Sequence, residues 1–246
     1  MAETGKKMSD LPGLTPAMRS VLARRGIRCR PCLEKRPETW ATLPADIRAV
    51  LENPVKTDIP GDVAADISED LVRLVRFGAP RPDGSRKTID VRNLVAVGGV
   101  RRKRATMKDI DLLAVVADGD VTKIRPGTLW LAPAAKHRGY QLMLVSGGDR
   151  KLFIILRRGR TNYHVDLFVA TESEKPFALF HFTGSKVYNI RTRRKAKLAG
   201  LLLNQYGLYR TSGDASRRRR LPGIRTERDI ADRLGISYRP PEDREG

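Results

Sequence analysis

The sequence predicts a mixed fold, α/β or α+β, in which helices pack on a sheet of short strands and a small all-helical unit comes first. Three observations carry that expectation. Between Asp62 and Phe77, the apolar residues Val63, Ile67, Leu71, Leu74 and Val75 recur at helical spacing. After a Pro- and Gly-rich break at Ala79 to Gly84 come five runs rich in Val, Ile and Leu: Asn93 to Val97, Ile110 to Ala117, Tyr140 to Ser146, Lys151 to Arg158, and Tyr163 to Ala170. Turns such as Gly147-Gly148-Asp149 and Gly159 separate the later runs, as between strands of a sheet.

The elements follow in order. Residues 1–10 are polar and are expected to be disordered, and Leu11 to Pro16 reads as a turn. Pro16 suits the first position of a helix running from Ala17 to Arg25, which Gly26 ends. Leu43 to Leu51 is a second short helix, so helix, Gly-containing hairpin and helix form a unit able to offer backbone N–H groups to a phosphate. Beyond the strand runs, a helix is expected around Lys186 to Ala199, then a strand pair from Leu201 to Arg210. A last helix spans Thr226 to Leu234, with Thr226 as its N-cap and Gly235 just past its end. No internal repeat is evident.

The chain has 246 residues, 48 Lys plus Arg against 28 Asp plus Glu, and a net charge of +20. With 40% hydrophobic residues it reads as a soluble globular protein rather than a disordered one. No run approaches the roughly 20 apolar residues of a membrane span, and no signal-peptide core follows Met1. Two cysteines exclude a disulfide-dense secreted scaffold. An intracellular or virion protein with a polyanionic partner is expected. The excess charge is +4 over residues 1–60, +8 over 61–170 and +8 over 171–246, so it is spread along the chain. Its densest clusters are Arg101 to Arg104; Arg191, Arg193, Arg194, Lys195 and Lys197; and Arg217 to Arg220, the last in a turn-rich stretch that reads as a mobile loop. Together they favour phosphate contact over a merely solvated surface.

Asp109-Ile110-Asp111 opens the most hydrophobic run. Side chains alternate along a strand, so the two acids project to one face. Adjacent carboxylates repel unless a cation joins them, and magnesium is the usual one where phosphates are further ligands. A third acid, Asp166, lies inside the apolar run Val165 to Val169, where a carboxylate is costly without a partner. Gly98-Gly99-Val-Arg-Arg102 follows a strand, and glycines there let the backbone approach a phosphate while Arg102 donates charge-assisted hydrogen bonds. Three acids, a glycine turn and an arginine suggest two-metal phosphoryl or nucleotidyl transfer.

These residues resemble a known family. Gly98-Gly-Val-Arg-Arg-Lys-Arg-Ala-Thr-Met-Lys-Asp-Ile-Asp-Leu-Leu113 is similar to the nucleotide- and metal-binding segment of the family X DNA polymerases, the group of DNA polymerase beta. His164-Val-Asp-Leu-Phe168 resembles the strand that bears its third acid, and Phe182-Thr-Gly-Ser185 its turn between palm and thumb. Asn204-Gln-Tyr-Gly207 and the segment from Thr226 to Arg244 resemble its C-terminal subdomain, and Leu11 to Ile27 its helix-hairpin-helix. The reduced polymerases X of large DNA viruses look closest.

The resemblance implies an α+β fold. A nucleotidyltransferase palm (61–172) would be flanked by a helix-hairpin-helix DNA-binding subdomain (1–60) and a C-terminal α/β thumb-type subdomain for nucleotide and template (173–246). It implies that Asp109, Asp111 and Asp166 are catalytic and bind two Mg2+, with Mn2+ as a substitute. Gly98, Gly99 and Arg102 would hold the triphosphate. His181, Phe182, Gly184 and Asn189 would line the site of the incoming nucleotide, with Asn189 at the minor-groove edge of its base. Gly13, Thr15, Arg191, Arg193, Arg194, Lys195, Arg217 and Arg218 would contact DNA, Arg193 on the template strand. The implied activity is template-directed filling of short gaps in DNA repair, including base excision repair, by an intracellular monomer acting on gapped or primed DNA and dNTP beside a DNA ligase, with no membrane.

Departures from the family pattern are visible. Gly99 stands for a usual Ser, His181 for a Tyr, Phe168 for an Arg, and Asp58 for an Arg, with Lys56 near. Thr15 stands for the second hairpin Gly. The family's lyase domain, about 80 residues in the resembling proteins, is not expected, and the segment from Arg158 to Asn162 is too short for the long loop of template-independent members. Two other readings stand beside this one: a nucleotidyltransferase acting on RNA or a small molecule on the same palm, and a basic DNA-binding protein with an inactive site. Cys29-Arg-Pro-Cys32, a lone Cys-x-x-Cys, is expected to hold two inert thiols rather than zinc, with a reversible disulfide between them left open. Trp40 and Trp130 are expected to be packing anchors, His137 a surface residue, and His164 either packed or at DNA.

Overall fold

The computed structural model describes residues 14, 16–29, 32–33, 37–52, 58–77, 79–80, 86–87, 91–119, 135–136, 138–211 and 219–245. Gly13, Thr15, Lys56, Trp130, His137, Arg217 and Arg218 lie outside them. The helices α1 (Pro16–Arg24), α2 (Pro37–Ala41) and α3 (Ala45–Glu52) lie in the N-terminal part of the described residues. Then β1 (Ile59–Pro60) leads into α4 (Gly61–Phe77), followed by the short strands β2 (Ala79–Pro80) and β3 (Arg86–Lys87). The central part holds β4 (Val91–Ala96), α5 (Gly98–Arg101), β5 (Thr106–Met107), β6 (Ile110–Val116), β7 (Gln141–Gly147), β8 (Lys151–Arg158) and β9 (Thr161–Thr171). The chain then runs through α6 (Lys175–Thr183), α7 (Lys186–Leu198), β10 (Leu201–Asn204), β11 (Gly207–Arg210) and α8 (Glu227–Arg233). Among the described residues no helix is long and apolar enough to cross a membrane.

The five-stranded sheet has the order β4-β6-β9-β8-β7. Only the β6–β9 pairing is parallel, and its register sets Asp111 beside Asp166. Alternation divides the strands between two cores. Ile110, Leu112 and Ala114 of β6, Val165 and Leu167 of β9, and Leu152 and Ile154 of β8 are buried with Ala64, Ile67 and Leu71 of α4. Leu113 and Val115 of β6 and Ala170 of β9 face the other way, against Val97 and Ala178, with Phe168 and Phe182 alongside. Asp111, Asp166 and Lys151 share this second face by the period of two.

The N-terminal helices bury Met18, Leu22, Ile27, Leu33, Ile47 and Leu51 in a core that ends on Ile155 and Phe153 of β8. Pro16 does open α1 and Gly26 follows it in the left-handed region, φ 69°. The cysteines depart from expectation: Cys29 and Cys32 form a disulfide. The turn after α1 brings their Cα atoms to 5.1 Å, within bridging reach, and Cys32 N donates to Cys29 Sγ.

Helix α6 is a further departure, since only a turn was expected near its end. Pro176, Phe177, Ala178, Phe180 and Thr183 are all buried, so the segment is apolar on several sides and shows no clean helical stripe. Helix α8 has the N-cap expected of it, and α7 is capped as well. Ser185 accepts from Tyr188 N at the start of α7, and Thr226 and Asp229 form a reciprocal capping box on α8. Together α6, α7, α8 and the β10–β11 hairpin enclose a C-terminal core of Phe177, Phe180, Tyr188, Leu203, Leu208 and Ile230.

Candidate active site

Asp111, the second residue of β6, lies beside the glycine turn of α5. Gly98 is in the left-handed region, φ 55°, and a Cβ there would lie 1.9 Å from Asp111 Oδ2. Glycine is therefore required twice over, by backbone conformation and by the acid against it. A Cβ at Gly99 would be 3.2 Å from that of Met107.

The parallel register and the strand alternation gather the three predicted acids. One ligand oxygen from each of Asp109, Asp111 and Asp166 can be chosen so that all lie within 4.8 Å of one another. Such crowding has an electrostatic consequence. Burial, and then repulsion by Asp109 and Asp166, raise the Asp111 carboxyl from its ordinary 3.8 to about 7. Asp166 goes the other way. Burial pushes it up, but hydrogen bonds from His164 and Lys151 outweigh burial and hold it below the carboxylate range. His164 Nε2 lies 2.8 Å from Asp166 Oδ1, and Lys151 Nζ lies 2.5 Å from Oδ2. Hard oxygen donors with a shortage of positive charge fit a divalent cation.

The acids open into a cleft of about 700 Å³. Gly98, Gly99, Arg102 and the acids Asp109 and Asp111 line one side. His181, Phe182, Gly184, Asn189 and Arg193 line the other, so every predicted nucleotide residue borders the same space. Asp58 borders it too. Phe168 stacks on Phe182 with ring centroids 3.9 Å apart. Arg193 donates to His181 Nδ1 at 3.1 Å, which leaves the ring's proton on Nε2. Burial, then the charge of Arg193, lower His181 from 6.5 to about 4, so the ring is neutral at physiological pH. Asn189 Nδ2 donates to the His181 carbonyl at 2.7 Å.

The basic clusters divide by position. Arg191, Arg193, Arg194, Lys195 and Lys197 are exposed on α7, as expected of a charged face. The cluster from Arg101 to Arg104, by contrast, is engaged with acids near the end of the chain. Arg101 pairs with Glu227 at 2.5 Å, Arg102 with Glu245 at 2.6 Å, Lys103 with Glu242 at 3.6 Å and Arg104 with Glu245 at 3.9 Å. Arg102 also donates to the Thr183 carbonyl beside the cleft. Arg220 is not a free end of the basic loop: it donates to the Ser173 carbonyl at 2.8 Å and sits over the Phe177 ring. Sequence reasoning gave no role to Lys151, Glu227 or Arg244, whose partners lie on other elements.

Several known proteins share this arrangement. The profile of the DNA polymerase beta thumb matches residues 178–245. The Repair DNA polymerase X of African swine fever virus (isolate Pig/Kenya/KEN-50/1950) is 34% identical over 153 residues, which cover 62% of this chain and 82% of that protein. The chain belongs to the family X DNA polymerases. Within the family, the Bacillus subtilis DNA polymerase/3'-5' exonuclease PolX is 32% identical over 148 residues, 60% of this chain and 23% of that one. The fold agrees with Leishmania infantum polymerase beta in a ternary P/T complex, with a TM-score of 0.70 at 19% identity over 98% of this chain and 97% of that one. A ternary gap complex of the same protein gives 0.71, again at 19% identity, over 99% and 92%. The chain thus has the α+β architecture of a polymerase beta-like fold and is a DNA-directed DNA polymerase.

Proposed function

We propose that this family X polymerase fills short gaps in DNA by two-metal, template-directed nucleotidyl transfer, using gapped or primed DNA and a deoxynucleoside triphosphate. The observation that carries the proposal is the group of three carboxylates within 4.8 Å at the mouth of a cleft whose other wall holds His181, Asn189 and Arg193. The names of its relatives, a repair polymerase among them, support the repair setting.

In this reading Asp109, Asp111 and Asp166 would hold the ions, and Asp166 would help remove the proton of the primer 3′-hydroxyl. Mg2+, with Mn2+ as a substitute, would supply Lewis acidity towards that hydroxyl and charge neutralisation for the leaving pyrophosphate. The chain contributes positioning and electrostatics, because phosphoryl transfer asks for little covalent chemistry from the protein. Gly98 and Gly99 let the main chain come close to the phosphates, and Arg102 donates to them. The neutral His181, with its proton on Nε2, and Phe182 shape the wall against the sugar, while Gly184 leaves room at the turn. Asn189 reads the base edge and Arg193 the template. Residues 1–60 and the exposed cations of α7 hold the duplex, with Gly13, Thr15, Arg217 and Arg218 as further DNA contacts. Residues 61–172 act as palm and 173–246 as the nucleotide- and template-binding subdomain of a monomer, and a DNA ligase would seal the product.

The test is primer extension on one-nucleotide-gapped DNA, with each dNTP supplied separately. Wild-type protein adds the templated nucleotide only when Mg2+ or Mn2+ is present. Asp166→Asn loses incorporation by about 10³-fold or more, the scale of a lost electrostatic contact to the transition state, and keeps its affinity for gapped DNA. Incorporation by that variant at the wild-type rate would overturn the site.

A further inference from the structure

Both oxygens of Asp166 are engaged. His164 Nε2 lies 2.8 Å from Oδ1, and Lys151 Nζ lies 2.5 Å from Oδ2. A divalent ion bound by this carboxylate needs at least one of those oxygens, at roughly 2.0–2.1 Å for Mg2+. A carboxylate oxygen can accept a hydrogen bond and ligate an ion at once, so the conflict is one of charge. A dication about 2 Å from Oδ2 would stand within a few Å of the Lys151 ammonium, and of the two partners the like-charged one is repelled.

The two are held very differently. His164 is only 19% exposed and its ring packs on Phe153, with centroids 4.1 Å apart. Lys151 is 52% exposed, at the first position of β8, on a four-carbon stem. Its ammonium also lies over the ring of Phe168, 5.1 Å from the centroid, and Phe168 is its register partner on β9. An aromatic face offers a resting place that the ammonium can leave without breaking a hydrogen bond. Lys151 can swing into water, where a primary ammonium is well hydrated; His164 has little room to move.

We infer that Lys151 is a displaceable counter-ion of the metal site: it pairs with Asp166 while the site is metal-free and leaves Oδ2 when a divalent ion binds. The inference rests on the metal-site reading above, and makes Lys151 a positioning residue that acts through Asp166. It accounts for how three crowded carboxylates are tolerated in a folded chain before metal arrives, since the ammonium offsets part of their mutual repulsion. It also means that Lys151 competes with the ion, so metal affinity is set lower than three aspartates alone would give.

The experiment titrates the full chain with Mn2+ alone, following the free ion by electron paramagnetic resonance. Lys151→Met and Lys151→Gln should each bind Mn2+ about fivefold more tightly than wild type, the scale of one solvent-accessible ion pair. Lys151→Arg keeps the charge and gains no affinity. Without metal, the two neutral variants melt below wild type, and they recover more than wild type does on adding Mn2+. A residue that only supported β8 would leave affinity unchanged or weaken it, so Mn2+ affinities of both neutral variants at or below the wild-type value overturn the inference. Asp166→Asn, run beside them, separates the two readings: if it loses Mn2+ binding while the Lys151 variants are unaltered, the metal site stands and the counter-ion role falls. Absence of Mn2+ binding by wild type would overturn both.

Discussion

Two sets of carboxylates, Glu227 and the group of Asp109, Asp111 and Asp166, both adjoin α5, and they are balanced in opposite ways. Glu227, 7% exposed, receives Arg101 at 2.5 and 3.0 Å and Arg244 at 2.8 Å. Arg244 is fully buried, donates to the Arg239 carbonyl, and lies 5.1 to 5.5 Å from the ring centroids of Phe180, Tyr188 and Tyr238. Two cations serve one acid. Burial pushes Glu227 up, but the Arg101 hydrogen bond and the Arg244 charge outweigh it and hold the carboxyl below its ordinary value. At the other group three acids share Lys151 and His164, and Asp111 rises to about 7. The ratio of charges separates the two: Glu227, with two cations to one acid, ties α5 to α8 across 126 residues, while at the other group acids outnumber their cations.

Breaking the satisfied group should have the largest effect on stability. Arg244→Met leaves Glu227 with half its compensation, and losing one partner of a buried pair costs about 3–5 kcal/mol, measurable by urea denaturation. Asp111→Asn should act in the opposite sense. In metal-free protein the native state holds the Asp111 proton more tightly than the unfolded chain does, so wild-type stability falls as pH rises from 3.8 towards about 7. The variant lacks that fall. In EDTA at pH 8 it melts above wild type, by roughly 2–4 °C for each kcal/mol of relieved repulsion, and the difference shrinks towards pH 4. It should also incorporate no nucleotide, which separates stability from activity. Glu227→Gln sharpens the contrast from the acid side. The depressed carboxyl of Glu227 stabilises the fold above its ordinary 4.5, and that contribution is lost as pH falls through the lower folded value. The variant should therefore show a shallower loss of melting temperature on acidification. The smallest effect belongs to an exposed pair outside both groups: Glu69→Gln, which removes the i,i+4 partner of Arg73 on α4, should change stability by less than about 0.5 kcal/mol.

Much of the acid group was legible in the chain. Alternation placed Asp109 and Asp111 together, and an acid inside the apolar run Val165 to Val169 announced a partner. The strand Lys151 to Arg158 was read at its observed bounds. Lys151 itself carried no signal, because its role comes from lying opposite Phe168, and pairing register is a property of two strands rather than one. The ion pairs of the basic run from Arg101 to Arg104 were hidden for a related reason. A linear count of cations cannot reveal that Glu227, Glu242 and Glu245, distant in sequence, return to meet them. Helix α6 was hidden by its own burial, since periodicity marks only a surface with two sides.

The parallel pairing of β6 with β9 bears on how the protein is made. Asp111 and Asp166 are 55 positions apart, and β7 and β8 lie between them in the chain. Contacts of such separation carry a large loop-closure cost and are slow to form. An incompletely folded or partly synthesised chain that lacks β9 can present Asp109 and Asp111 but not the third acid, and so has no complete metal site. The carboxylate group comes into being only as the sheet closes, and a divalent ion that favours it stabilises the finished fold alone.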